Sequence, residues 1–170
     1  MTSAPASYRV YIGLGSNLQS PLHQVGRAVE AISALAQTLF IARSPWYRSV
    51  AIGPGDQPDY INGVAAVDTQ LSPAQLLSAL HAIEATQGRV RRQRWAARTV
   101  DLDILLYGDE VVATDRLRIP HPRLHQRNFV LYPLADLAPQ LVLPDGATLA
   151  SLLAQSNRDG LVQLEEMLER

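Results

Sequence analysis

Two aspartates one residue apart, Asp101 and Asp103, are the feature of this chain most directly suited to chemistry. On a strand, both carboxylates project from one face because side chains alternate with a period of two. Their Cα atoms would lie roughly 6.5–7 Å apart, so the carboxylates could share one Mg²⁺ or bridge two ions about 3.5–4 Å apart. Oxygen ligands in a chain without cysteine favour Mg²⁺ over zinc. The alternative is an exposed strand face with two solvated acids.

The segment just before these aspartates is crowded with arginines, namely Arg89, Arg91, Arg92, Arg94 and Arg98. A guanidinium can hold phosphate oxygens bidentately and can stabilise charge on a transferring phosphoryl group without losing its proton. The alternative is a solvated basic loop that pairs with nearby acids. An arginine loop that leads into paired carboxylates supplies phosphate clamps and metal ligands, which are the two halves of a site for Mg²⁺ and a nucleotide.

Aromatic side chains are scarce, with two Phe and two Trp, and a few stand beside loops together with an amide. This group comprises Tyr60, Asn62, Trp95 and Phe129. A flat heteroaromatic substrate needs stacking faces and an amide to read its donors and acceptors. The alternative places Tyr60 and Phe129 in ordinary core packing. His121, which stands between two prolines, could contact a phosphate or serve in capping or packing.

The composition narrows the classes of function. All fifteen basic residues are arginine, which excludes a P-loop lysine, a kinase strand lysine and Schiff-base chemistry. The absence of cysteine excludes disulfides, thiolate nucleophiles and iron–sulfur clusters. A formal net charge of -1 argues against a chain-wide footprint for nucleic acid or membrane, so an anion site must be local. We expect a cytoplasmic monomer with no membrane helix, no membrane partner and no nucleic-acid partner.

The elements that position these residues follow from the hydrophobic pattern. Alternating residues predict strands over 8–14, 39–47, 60–69 and 100–107, and apolar residues at spacings of three and four predict two intervening helices. Ser20 is expected to cap the first helix, and Ser72 with Gln75 has the spacing of a capping box before the second. The order predicts an α+β fold, with a ferredoxin-like (βαββαβ) antiparallel sheet and its helices on one side.

A C-terminal elaboration is expected after residue 107. The pattern predicts a hairpin-like piece around Gly108, helical segments near 129–137 and 148–154, and an amphipathic helix over 158–170. No internal repeat or linker is apparent, so we expect one domain over residues 1–170.

Several stretches together resemble the 6-hydroxymethyl-7,8-dihydropterin pyrophosphokinase family of folate biosynthesis. Residues 94–105 read RWAARTVDLDIL, which is similar to the signature of that family. The other stretches are GLGSNL at 13–18, DQPDYIN at 56–62, GRVR at 88–91, IPHP at 119–122 and RNF at 127–129. Their order and spacing extend the resemblance over about residues 8–145.

The resemblance implies a modified ferredoxin-like fold and transfer of the pyrophosphoryl group of ATP to the pterin hydroxymethyl group, with release of AMP. It implies that Asp101 and Asp103 bind two Mg²⁺ ions, and that Asp103 helps to accept the hydroxyl proton. Arg89 and Arg98 are similar to catalytic arginines that clamp the phosphates.

The resemblance also implies two binding sets. Nucleotide contacts are assigned to Glu84, Arg89, Arg94, Arg98, Ile104, Arg116, His121 and Arg127. Pterin contacts are assigned to Ser49, Val50, Ile52, Tyr60, Asn62, Trp95 and Phe129, with Tyr60 and Phe129 stacking on the two faces of the ring and Trp95 closing over it. Glu84 matches a position that orients part of the site.

The chain departs from the family pattern at a few positions. Ala96 and Ala97 replace a common Gly-Pro, Ser49 replaces the usual threonine, and Val50 replaces a frequent proline. Arg118 and Pro122 stand where a hydroxyl residue and an aromatic often occur. These changes remove no metal ligand or stacking face, so we expect altered loop kinetics and nucleotide affinity with activity retained.

Two other classes of function are weighed against this one. A small RNA-binding module would show binding that weakens steeply with salt and no ATP turnover, and the near-neutral charge argues against it. A paralogue without catalysis would bind ATP and pterin yet release no AMP, and the intact Asp101 and Asp103 pair argues against that.

Overall fold

The computed structural model describes residues 6–18, 20–50, 58–88 and 100–164. Its strands are β1 (Tyr8–Ser16), β2 (Thr38–Arg43), β3 (Tyr47–Ser49), β4 (Tyr60–Thr69), β5 (Asp101–Tyr107), β6 (Val112–Ala113), β7 (Arg118–Ile119) and β8 (Leu161–Gln163). Its α-helices are α1 (Pro21–Ser33), α2 (Pro73–Thr86), α3 (Asn128–Leu137) and α4 (Leu149–Ala154), and Leu124–Gln126 form a 3₁₀ turn. The fold therefore belongs to the α+β class.

In the part of the chain that the structure describes, one antiparallel sheet has the order β5-β1-β4-β3-β8, and β2 also pairs with β4. A separate hairpin joins β6 to β7. Strand β1 lies between β5 and β4, and its Gly15 is opposite Asp101 and its Gly13 is opposite Asp103. This register carries both aspartates to one face of the sheet.

A bulge changes the phase of β5 partway along the strand. Tyr11 pairs with Leu106 and Ile12 pairs with Ile104, so Leu105 is an extra residue with no direct partner in β1. Leu105 and Leu106 both pack into the core on the aspartate side of the sheet, whereas Tyr107 packs on the other side. The bulge thus lets one strand serve both sides of the sheet.

The sheet is covered on both faces. On one face α1 and α2 bury side chains such as Val25 and Leu80 against β1 and β4. On the other, α3 and α4 bury Leu131 and Leu149. The prediction of helices on one side is right for α1 and α2 and wrong for the C-terminal helices. Strand β4 is buried along most of its length, as a strand covered on both faces must be, and its mainly apolar sequence YINGVAAVDT agrees with that.

The two predicted helix caps have different outcomes. The capping box of α2 is confirmed, because Ser72 Oγ accepts the Gln75 N–H and the Gln75 side chain accepts the Ser72 N–H. The predicted cap of α1 by the Ser20 side chain is wrong. Ser20 has a left-handed backbone, with φ 60° and ψ 69°, and makes no side-chain cap bond. A side-chain cap requires an extended residue at that position, as Ser72 is.

The single strand predicted over 39–47 is instead two strands, because the chain turns at Ser44 and Pro45. Strand β2 ends at Arg43, and β3 begins at Tyr47. Ser44 stabilises the turn, since its N–H donates to Val64 O at 2.8 Å and its Oγ accepts the Val64 N–H at 2.9 Å. Proline cannot donate to a sheet ladder, which explains the interruption.

The helix predicted over 158–170 is wrong in its described part. Leu161–Gln163 form β8, which pairs with Tyr47–Ser49 of β3. Gly160, with φ +71°, sets the chain into a left-handed turn that a helix does not contain. Residues 165–170 lie outside the described residues. The edge of β3 therefore overrides the local helical pattern. Among the helices described, none has the length and apolar character needed to cross a bilayer.

Candidate active site

A cleft of about 830 Å³ opens where β1, β3, β4 and β5 meet the beginning of α3. It brings together many of the predicted site residues, which are distant in sequence. From the strands and their ends these are Ser49, Val50, Tyr60, Asn62, Asp101 and Asp103. From the beginning of α3 and the residue before it come Phe129 and Arg127. Carboxylates, stacking faces and an amide thus share one cavity, as a site for a charged and an aromatic ligand requires.

The two aspartates are held by the sheet and by one buried acid. Leu102, between them, is 2% exposed and anchors the strand in the core below the cleft. Glu84 of α2 is equally buried, and its Oε2 accepts the Leu102 N–H at 2.9 Å. Glu84 therefore does not line the cleft but stabilises the backbone between the aspartates. A hydrogen bond to a backbone N–H that is buried away from water makes this a firm support.

The carboxylate pair fits a hard divalent cation. Among the described residues no group of three or more His, Asp or Glu side chains gathers in a metal-binding cluster. Two carboxylates are nevertheless the usual protein share of a Mg²⁺ site, because this ion keeps waters and takes further oxygens from phosphates. Asp101 and Asp103 are therefore suited to a metal that arrives with a nucleotide and less suited to a permanent structural ion.

A buried amide and hydroxyl form the deepest polar part of the cleft. Asn62 Nδ2 donates to Ser49 Oγ at 2.7 Å, and both residues are less than a tenth exposed. This bond fixes the orientation of the Asn62 carboxamide. Gly15 lies against its other atom, since a Cβ at Gly15 would be 2.9 Å from Asn62 Oδ1. Any larger residue at position 15 would displace the amide.

The two predicted stacking rings stand on different elements. Tyr60 is the first residue of β4 and Phe129 the second residue of α3, and both are half-buried on the cleft. The Arg127 Cζ lies 5.5 Å from the centre of the Phe129 ring. This cation–π contact places a positive charge beside an aromatic face. The Phe129 ring, which can stack on a ligand, and the Arg127 guanidinium, which can bind an anion, are therefore neighbours in the cleft.

His121 lies beside the cleft and not in it. It lines a smaller neighbouring cavity of about 270 Å³ with Pro120 and His125. The peptide bond before Pro120 is cis. The His121 N–H donates to Leu105 O at 3.0 Å, and its Nδ1 accepts the Arg123 N–H at 3.2 Å.

The surroundings of His121 determine the protonation state and the tautomer of its imidazole. Burial lowers its pKa, the Asp103 carboxylate opposes that shift, and the arginines at 127 and 123 add to it. Since Nδ1 accepts a hydrogen bond, the neutral ring carries its proton on Nε2. The side chain is thus a neutral hydrogen-bond donor near Asp103.

The other predicted residues are placed as follows. Ile104 is 3% exposed in the core beneath α1 and α2. Arg116 is exposed in the loop between β6 and β7. Neither lines the described cleft. Ile52, Arg89, Arg94, Trp95 and Arg98 lie in residues 51–57 and 89–99, outside the described residues, so their assignments stay predictions.

Sequence reasoning missed one whole wall of the cleft. Residues 155–160, between α4 and β8, contribute several polar groups to it, and Asn128 lines it next to Phe129. The composition of this segment, QSNRDG, indicates a turn. Nothing in the sequence places that turn beside β3, because its position depends on the pairing of β8.

The comparisons with known proteins agree with one another. Residues 11–139 match the family model described as 7,8-dihydro-6-hydroxymethylpterin-pyrophosphokinase. A 2-amino-4-hydroxy-6-hydroxymethyldihydropteridine pyrophosphokinase of Pseudomonas aeruginosa is 53% identical over 156 residues, which cover 92% of this chain and 96% of that one. The protein of the same name from Haemophilus influenzae is 48% identical over 154 residues, covering 91% and 96%.

Solved structures resemble the fold at much lower identity. The crystal structure of Plasmodium falciparum HPPK-DHPS wild type with pterin and p-hydroxybenzoate has a TM-score of 0.71 and 13% identity, and the match covers 95% of this chain. The A437G/K540E form of that protein gives a TM-score of 0.73, with 93% of this chain covered. This chain spans a little under half the length of those proteins, 47% in both cases.

Proposed function

The chain belongs to the 7,8-dihydro-6-hydroxymethylpterin-pyrophosphokinase family and transfers a pyrophosphoryl group to hydroxymethyldihydropterin in folate biosynthesis, and we propose that it does so from ATP, in the described cleft, with Mg²⁺. The products are then AMP and the pterin diphosphate. One observation carries the location: the Asp101 and Asp103 pair opens into the same cavity as the rings of Tyr60 and Phe129. Metal ligands and stacking faces are thus within reach of one bound pair of substrates.

The pterin binds between the two rings. Tyr60 and Phe129 offer apolar faces from separate elements, which suits a flat bicyclic heteroaromatic. Asn62 and Ser49 lie at the buried end, where a carboxamide and a hydroxyl match the amino-pyrimidinone edge. The backbone at Val50 and at the predicted residue Ile52 completes this edge.

Asp101 and Asp103 would hold the two expected Mg²⁺ ions, and phosphate oxygens of ATP would supply further ligands. When bound, Mg²⁺ neutralises phosphate charge and polarises the phosphorus that is attacked. Register with β1 and the bond from Leu102 to Glu84 keep the carboxylates in place before either substrate arrives. Positioning and electrostatics therefore carry the reaction, with no covalent enzyme intermediate.

The transfer forms one bond and breaks one bond. The hydroxymethyl oxygen of the pterin bonds to the β-phosphorus of ATP, the bridge between the α- and β-phosphates breaks, and AMP leaves. Asp103 accepts the hydroxyl proton. Arg127 contacts phosphate oxygens in the cleft, the neutral His121 ring reaches them from the neighbouring cavity, and the predicted clamps Arg89 and Arg98 act with them. Arg94 is a further proposed nucleotide contact, and Trp95 covers the pterin. Arg116 would reach the nucleotide only from outside the described cleft, and Ile104 only through its backbone, because its side chain is in the core.

The remaining parts of the proposal concern the whole chain. The sheet order β5-β1-β4 followed by β3 and β2 supports a ferredoxin-like core built from the elements up to residue 107. We propose that the chain is one domain and acts as a monomer in the cytoplasm, without nucleic acid or membrane.

The first test is a reaction containing the protein, ATP, Mg²⁺ and 6-hydroxymethyl-7,8-dihydropterin, with AMP measured by chromatography. AMP that requires both pterin and metal supports the proposal. Reactions without pterin and reactions with chelator serve as controls. If calorimetry shows both ligands binding while no AMP appears, the chain is a binding paralogue without catalysis, and the proposed reaction is wrong.

A further inference from the structure

The turn at residues 155–160 is a wall of the cleft to which the proposed reaction assigns no role. Its residues share the cavity with Val50 on one side and Phe129 on the other. It follows α4 and leads into β8, so its position is not set by the central strands. Whatever holds this turn also sets the width of the cleft at the proposed pterin position.

Asn128 is one anchor of this turn. It is half-buried at the beginning of α3, and its Nδ2 donates to Asn157 O at 3.0 Å and to Asp159 O at 3.1 Å. One amide group thus binds two carbonyls of the turn. A third bond within the turn, from the Asp159 N–H to Asn157 Oδ1 at 3.0 Å, keeps those carbonyls together. Because Asn128 directly precedes Phe129 on α3, its bonds connect the turn to the helix that carries the stacking ring.

The second anchor lies at the end of β3. The Val50 N–H donates to Gly160 O at 3.1 Å, next to the ladder between β3 and β8. A Cβ at Gly160 would lie 3.5 Å from Val50 Cγ2, and the φ of +71° is unfavourable for other residues. The wall is therefore closely fitted to the strand end that carries Ser49 and Val50.

We infer that Asn128 is a positioning residue for the pterin: its carboxamide holds residues 155–160 in place as the wall beside Ser49 and Val50. The inference rests on the proposed function, since it assumes that the pterin occupies this part of the cleft. The aspartates stand on β5, which is paired to β1 and supported at Leu102 by Glu84, so they are carried by a different element from this wall. Asn128 should consequently affect pterin binding and leave the transfer step largely unchanged.

The test is steady-state kinetics of Asn128→Ala and Asn128→Asp, with both substrates varied. Asp has the same shape but no N–H donor, and an acid suits the first turn of a helix. We expect both variants to raise the KM for the pterin about tenfold, which corresponds to roughly 1.4 kcal/mol and to the loss of two partly exposed hydrogen bonds. The kcat and the KM for ATP should stay within about twofold.

A matched control and a second variant sharpen the test. Ser33→Ala removes another exposed bond from a side chain to backbone, Ser33 Oγ to Glu30 O, on α1 away from the cleft, and should leave all constants unchanged. Gly160→Ala strains the other anchor and should also raise the KM for the pterin.

Each outcome decides the inference. An unchanged KM for the pterin in Asn128→Asp overturns it, because the donors are then not needed. Variants that fail to fold, or that lose kcat and both KM values together with thermal stability, also overturn it by assigning Asn128 a structural role only. If the unaltered protein forms no AMP, the proposed function is wrong; if it does and the variants match it, only this inference is wrong.

Discussion

The sheet side of the cleft and its C-terminal wall hold their polar groups by different means. Asp101 and Asp103 are part of a strand with a buried neighbour between them, and the ladder to β1 fixes their separation. Residues 155–160 are joined to α3 by the Asn128 amide and the Arg158–Tyr132 contact, to β3 by the Val50–Gly160 backbone bond, and to α4 by two backbone bonds. Groups on the sheet can move only if the core moves, whereas the wall can shift at the cost of a few exposed bonds. The proposed metal site is therefore on the rigid side of the cleft, and the proposed pterin site borders the side that can adjust.

The largest expected effect tests the sheet side. Asp103→Ala should lower kcat by about 10³-fold or more, because it removes the proposed metal ligand and proton acceptor together. Urea unfolding should be nearly unchanged, since this side chain is exposed. The control is Asp115→Ala, an exposed acid in the loop between β6 and β7. A kcat within tenfold of the unaltered protein would refute the assignment of Asp103.

The next largest effect is expected at Phe129, which lies in the cleft between the sheet side and the wall of residues 155–160. Phe129→Ala should raise the KM for the pterin roughly 10–100-fold through the loss of one stacking face, with a smaller change in kcat. Leu137→Ala is the matched control, because this half-buried side chain is on the same helix but does not line the cleft. Equal changes in the two variants would show that the helix, and not the ring, matters.

A third prediction concerns the support of the aspartates. Glu84→Ala should lower the free energy of unfolding by about 1–3 kcal/mol, because the buried Leu102 N–H loses its acceptor. Glu84→Gln keeps an acceptor and should cost less. The measurement is urea unfolding of both variants. Equal stability of the two would mean that the bond to Leu102 contributes little.

The smallest expected effect is on stability and concerns Asp145, in the loop between α3 and α4. The Ala147 N–H bond lowers the pKa of Asp145, and His125 adds to the shift. A lowered pKa in the folded state gives stability that is present above the unfolded pKa of 3.8 and is lost as pH falls through the folded value. Asp145→Ala should thus be slightly less stable than the unaltered protein at pH 7. Urea unfolding at pH 7 and at acidic pH should show this difference shrinking with acidity; a constant difference would contradict it.

The sequence was most informative where periodicity and motif agreed. The alternation around Leu102 predicts that Asp101 and Asp103 share a face, and both line the cleft. The Ser72 capping box is likewise local and is confirmed. Such features depend on neighbours within a few residues, so one sequence contains all the information that they need.

Other features could not be read from local pattern. The role of Glu84 beneath Leu102 depends on how α2 packs on β5, although the family resemblance marked the position. The pairing of β8 with β3 turned a predicted helix into a strand, and it carried Asn157 and Asp159 into the cleft. These outcomes depend on long-range contacts, which a propensity scale does not contain.

The bulge at Leu105 also has a consequence for how this chain can change over time. Asp103 before it and Tyr107 after it serve opposite sides of the sheet, and the Tyr107 hydroxyl donates to Leu71 O at 2.6 Å. Losing one residue here would put the strand back in simple alternation, so either the carboxylates or Tyr107 would face the wrong side. A deletion of Leu105 should therefore disturb the fold more than a substitution of Leu105 by another apolar residue, which keeps the length of the strand.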